Sequence, residues 1–118
     1  MIPLTPHLGT RFEKPVYLLI SPLTLSAGEI FALCMAAIPH VKLLGEPTCG
    51  ILSDNLFHRL PNGWEISLSN EVYLSSKQIC YESCGVAVDI NLPPLGQHLL
   101  EDLQQGLIAA VNMAKSKQ

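Results

Sequence analysis

Charge is scarce in this sequence. Only 14% of its 118 residues are Asp, Glu, Lys or Arg, and seven basic residues against ten acidic ones leave a net charge of −3. There is no basic run and aromatics make up 6%. That argues against nucleic acid as a partner, because nothing supplies a positive stripe for phosphates. No stretch reaches the ~18 uninterrupted apolar residues of a membrane span. The opening residues contain Pro3, Pro6, Arg11 and Glu13 and do not read as a signal peptide. The four cysteines, Cys34, Cys49, Cys80 and Cys84, include no C-x-x-C pair. Cys80-x-x-x-Cys84 has no histidine pair nearby, so no zinc site is expected and buried or free thiols are. Neither a metal nor a cofactor is implied.

Apolar residues are plentiful at 48%. Together with low charge, this argues against disorder. The length suits one domain, which would bury roughly two thirds of its unfolded surface. The chain is more apolar than a small module needs, which suggests a piece of a larger domain.

"KPVYLLISP" is a short apolar run rich in strand formers and closed by Pro22, which predicts a buried strand over Val16 to Ile20. Ile30, Leu33, Cys34, Ala37 and Ile38 follow at helical spacing, and Pro39 ends that helix. "VKLLGEPTCG" reads as a second strand and a turn, completing a βαβ unit. Pro61-Asn62-Gly63 between strand-like runs predicts a hairpin. A further turn is expected near Ser69-Asn70, another strand at "QICYES", and an extended segment at "VAVDINLPP". From Gln97 to Lys115 the pattern is helical, with Leu100, Leu103, Leu107 and Val111 as one stripe. Gly106 weakens that helix by ~1 kcal/mol relative to alanine.

Ser26-Ala27-Gly28-Glu29 carries two readings. Ser-x-x-Glu ahead of an apolar run is a capping box, in which each side chain accepts the other residue's backbone N–H. The same serine stands just after a buried strand, at a helix start, where open α/β sheets bind ligands. Free N–H groups and the helix dipole there can stabilise an oxyanion, and the Ala27 N–H is the natural donor. Gly28 is a poor choice for a first helical turn unless another backbone or a substrate must come close.

A nucleophilic serine needs a base. His7, His40, His58 and His98 have no spacing that marks a partner for Ser26, and Lys42 and Lys77 read as solvated lysines. Glu82, in "CYESCGVAVD", is either a carboxylate that orients a base or a rim residue in an ion pair. Asp89 is expected to cap or turn the chain near Pro93-Pro94. Gly45 and Gly50 read as turn glycines.

Several ordered motifs agree with one family: Ser-Ala-x-Glu at Ser26, Gly-Glu-x-Thr-x-Gly at Gly45, Leu-Pro-Asn-Gly at Leu60 and Tyr-Glu-x-x-Gly-Val at Tyr81. From about Lys14 to Leu92 the chain resembles the second half of the tail-specific, or C-terminal processing, serine peptidases. It is closest to the branch that includes the tricorn protease core. "LEDLQQGLIAAV" is similar to the family's closing helix.

The resemblance implies an α/β, crotonase-like fold, a spiral of ββα units, of which this chain is a partial domain. Residues 1–13 would be a leader, 14–92 the matched core and 97–115 the terminal helix. It implies hydrolysis of a peptide or protein substrate through an acyl-enzyme. Ser26 would be the nucleophile, the Ala27 N–H an oxyanion donor, and Gly28 and Gly50 near-site residues. One branch of the family activates the serine with a lysine twenty-five positions later, where this chain has Ile51. The other uses a histidine and a second serine from earlier in the chain, held by a glutamate that Glu82 matches. His7 does not match that histidine, so the partner implied is the upstream half of the same domain. Ser83 replaces a usual glycine and Val88 a usual proline. The fold is also shared with retinoid-binding repeats of the eye, so the alternative is a non-catalytic module that binds an apolar ligand or forms a homo-oligomer.

Overall fold

A computed structural model describes residues 8–92 and 99–116. Three parallel strands form the central sheet in the order β1 (Val16–Ile20), β2 (Val41–Gly45), β5 (Ile90–Asn91). Strands β1 and β2 pair in register from Val16 opposite Val41 to Ile20 opposite Gly45. Helix α1 (Ala27–Ala36) connects them, as the sequence predicts.

Side chains alternate across a strand, so β1 offers a different set to each face. Val16, Leu18 and Ile20 join Ala32, Leu33, Val41, Leu43 and Val86 in one core. On the opposite face, Leu19 meets helix α2 (Leu99–Lys115) at Gly106, and the Tyr17 hydroxyl donates to the Met113 carbonyl at 3.4 Å. Helices therefore cover both faces of a parallel sheet, which explains why β1 reads as a continuous apolar run. Gly106 is buried against Leu19. The stripe of Leu103, Leu107 and Val111 lies exposed on this helix, and the buried positions beside it are Gly106 and Ala110. Residues 93–98, and with them Pro93, Pro94 and His98, lie outside the described residues, as do His7 and the side chain of Leu100.

The hairpin is a separate two-stranded sheet of β3 (Asn55–Arg59) and β4 (Glu65–Ser69). Its turn closes where Pro61-Asn62-Gly63 predicts, with Leu60 N–H donating to the Trp64 carbonyl at 2.7 Å. Among the described residues it packs against no other helix or strand. Every residue of both strands is exposed, including Leu56, Ile66 and Leu68 on one face; Phe57 is 69% exposed and Trp64, beside the turn, 72%. The expected strand at "QICYES" is reduced to an isolated bridge between Leu74 and Cys80, followed by a turn over 82–84. All four cysteines are free and exposed rather than buried.

The turn expected near Pro93-Pro94 lies outside the described residues, and Asp89 itself stands at a bend just before β5. Its carboxylate accepts the Leu43 N–H at 2.9 Å and pairs with Lys42 at 3.2 Å, stitching the segment before β5 to β2. The bond from Leu43, helped by the Lys42 charge, holds the Asp89 carboxyl below the usual carboxylate range, against a partly opposing desolvation.

Candidate active site

Ser26 stands between the end of β1 and the start of α1, at the carboxyl ends of the parallel strands. Its backbone sits at φ 53°, ψ −124° and its side chain makes no cap hydrogen bond. Left-handed residues normally have ψ near ~+45°, so Ser26 lies in a region that an L-residue enters only when its surroundings force it. The capping box is therefore absent from the structure, although its sequence is present. The N–H groups of Gly28, Glu29 and Ile30 are taken by the carbonyls of Leu25, Ser26 and Ser26. The Ala27 N–H has no acceptor among the described residues, so an exposed hydroxyl and a free amide adjoin at the head of the helix.

Glu29 explains where the other half of the box has gone. It is 0% exposed and turns into the protein instead of back toward Ser26. Oε1 accepts the Thr48 hydroxyl and the Gly50 N–H (2.7 Å), and Oε2 accepts the Ile51 N–H at 2.7 Å. The Ser26 N–H donates to the Ile51 carbonyl at 2.8 Å, and the Cys49 N–H donates to the Thr24 carbonyl at 2.9 Å. The loop after β2 thus lies along the serine turn.

Glu82 approaches the same loop from the other side. Its Oε2 accepts the Leu52 N–H at 3.2 Å and the Ser53 N–H at 3.1 Å. The rim ion-pair reading of Glu82 fails, since its described partners are amides. The peptide between Ile51 and Leu52 connects Glu82 to the serine, its carbonyl receiving the Ser26 N–H and its N–H serving Glu82, while Glu29 holds the preceding peptide through the Ile51 N–H. Gly50 is required there because its φ is +82° and a Cβ would stand 2.8 Å from the Cys84 and Gly85 nitrogens. Gly85, at φ +75°, lets the Glu82 turn press on the Thr48 carbonyl. Ser83 has φ +67°, a glycine-like conformation on a serine. Gly28, by contrast, serves local packing: a Cβ would meet the Thr24 methyl at 3.1 Å.

Among the described residues, none of the candidate bases joins this cluster; His7 and His98 lie outside them. Lys42 is ion-paired with Asp89 near the opposite end of β2, Lys77 is exposed in the loop after β4, and His58 is exposed on the hairpin. The His40 carbonyl accepts the Val16 N–H at 2.9 Å at the far end of the sheet. Glu29 and Thr48 are members of the site that sequence reasoning missed. The available signal was an acid heading the buried side of α1, which runs through Ala32 and Leu33. Among the described residues no cluster of metal-ligating side chains occurs, and no helix is long and apolar enough to cross a membrane.

A strained serine at the carboxyl edge of a parallel sheet stands where open α/β sheets bind their ligands. Residues 4–92 match peptidase family S41, and the chain belongs to that family. It is 32% identical over 78 residues to the nisin-resistance protein of Lactococcus lactis subsp. lactis, an alignment that covers 66% of this chain and 24% of that protein. A protein of Parabacteroides merdae classed as a peptidase superposes with a TM-score of 0.79 at 26% identity, covering 94% of this chain and 35% of the other. Mature CPAF in complex with lactacystin shares the fold, with a TM-score of 0.76 at 18% identity over 96% of this chain and 23% of its own. The photosystem II D1 C-terminal processing protease gives 0.62 at 23% identity over 78% and 23%. The chain therefore spans about a quarter to a third of the length of these relatives.

Proposed function

We propose that this chain is the C-terminal part of a serine-type, tail-specific peptidase with a crotonase-like spiral fold, and that Ser26 is its nucleophile. The conformation of Ser26 carries the proposal. A serine held at φ 53°, ψ −124° with no cap bond gains nothing for the helix, and strain of this kind concentrates where chemistry needs it.

In the reaction, Ser26 Oγ attacks the substrate carbonyl carbon while its proton passes to a base. The oxyanion forms beside the Ala27 N–H. The C–N bond then breaks, the departing amine takes the proton from the base, and water hydrolyses the ester by the reverse sequence. The base and a second serine come from residues N-terminal to this segment. Glu82 can orient them, because only its Oε2 is engaged by the loop among the described residues. The same upstream half covers the bare apolar hairpin. The radius of gyration of 17.4 Å supports this reading, since a compact domain of this length has one near ~13.5 Å. The 118-residue chain alone is expected to show no appreciable peptidase activity.

The test is a fluorophosphonate reaction followed by mass spectrometry of the adduct. Labelling at Ser26 in a form that includes the upstream half, abolished by Ser26→Ala, supports the assignment. Full peptide turnover by Ser26→Ala refutes it. Absence of labelling in every form favours the second reading, a non-catalytic module of the same fold, for which the exposed Leu56, Phe57 and Trp64 are the observation.

A further inference from the structure

Four consecutive backbone N–H groups, those of Gly50, Ile51, Leu52 and Ser53, are all accepted by just two carboxylates, Glu29 and Glu82. Neither loop nor acids need this for the sheet, since all of it lies beyond the ends of β1 and β2. We propose that Glu29 is a positioning residue: through the loop over 48–53 it sets the conformation of the Ser26 turn and ties that turn to Glu82.

Three observations make the connection continuous. Glu29 Oε2 fixes the Ile51 N–H, and the Ile51 carbonyl takes the Ser26 N–H. The Thr48 hydroxyl donates to Glu29 and accepts the Val86 N–H at 2.6 Å, so the same acid is joined to the turn that bears Glu82. The Gly50 carbonyl accepts the Ser83 N–H at 2.8 Å, closing a second strut between loop and turn. Glu29 itself is fully buried and has no access to a substrate. Its effect on chemistry passes through the Ile51 peptide, and only that catalytic consequence rests on the peptidase reading.

The positioning can be tested in the 118-residue chain by amide hydrogen exchange, which needs no activity. Glu29→Gln keeps shape but offers one oxygen where two are used, leaving an NH2 facing a donor. Exchange of the Ser26 and Ile51 amides is expected to accelerate about tenfold or more while the β2 amides keep wild-type protection. Thr48→Val, which retains the carboxylate and the side-chain volume, is expected to do the same, and Thr48→Ser to restore protection. Should Glu29→Gln lose protection throughout β2, the Thr48 pair decides alone. Unchanged exchange at Ser26 in a folded Glu29→Gln, or in Thr48→Val where that variant decides, overturns the proposal. In a form that labels with fluorophosphonate, Glu29→Gln should also slow adduct formation at Ser26. A wild type that never labels removes the peptidase reading and leaves the exchange result standing.

Discussion

Replacing Ser26 by glycine and by alanine separates a strained serine from a capping one without any enzymatic assay. Both variants keep the 2.8 Å bond from the backbone N–H to the Ile51 carbonyl. Residues trapped in such regions cost about 1–3 kcal/mol. Glycine removes that cost but adds ~0.5–1 kcal/mol of chain entropy in the unfolded state. The net expectation is a gain of about 1 kcal/mol for Ser26→Gly, or roughly 4 °C in melting temperature for a chain of this length. Ser26→Ala keeps the strain and loses no cap bond, so it should lie within about 0.5 kcal/mol of wild type. A true cap predicts a different order, with alanine losing ~1 kcal/mol and glycine a few tenths. Thermal and urea denaturation followed by circular dichroism read the difference. A clear loss in Ser26→Ala without a gain in Ser26→Gly would refute the strain argument.

Two further outcomes follow from the packing. The Asp89 carboxyl is lowered chiefly by the Leu43 N–H, so its contribution is complete above the unfolded value near ~3.9 and is lost as pH falls through the lower folded value. The gap in urea midpoint between wild type and Asp89→Asn should therefore close below about pH 4, and a gap that widens there contradicts the assignment; the pair is 41–47% exposed and the gap will be small. Gly106→Ala should raise stability by up to ~1 kcal/mol, because a Cβ there would stand 3.4–3.6 Å from the Leu19 methyls, an ordinary contact, and helix propensity improves. A fall in melting temperature would mean that α2 sits closer to β1 than described.

What was legible in the sequence is what short-range chemistry dictates. Val16–Ile20, its helix and the Pro61-Asn62-Gly63 turn follow from periodicity and turn residues, and the structure has them within a residue or two. The serine turn itself was visible, as an ambiguity. Its resolution was not, because the capping box and the inward-turned glutamate share the same four letters. Thr48, Gly50 and Ile51 decide between them from twenty residues away, through bonds that no local pattern encodes. The bond from the Leu43 amide to Asp89 is equally invisible to a local pattern, because the two lie 46 positions apart. Which side of α2 meets the sheet was illegible for a different reason. Periodicity identifies apolar positions, but it is Gly106 that lies against Leu19 and Ala110 that is buried, and small residues carry little hydrophobic signal.

The loop beside Ser26 is gripped by its main chain. From 51 to 53 Glu29 and Glu82 hold only peptide groups, which every residue type except proline can present, and the side chain of Ile51 remains outside, exposed. Its shape is thus inherited separately from its surface chemistry. At position 51, where the resemblance places a lysine in one branch and this chain has isoleucine, the two side chains are alternative fittings on one fixed bracket. On the proposed peptidase reading, the side chain at position 51 can then change without moving the peptide whose carbonyl holds the Ser26 N–H.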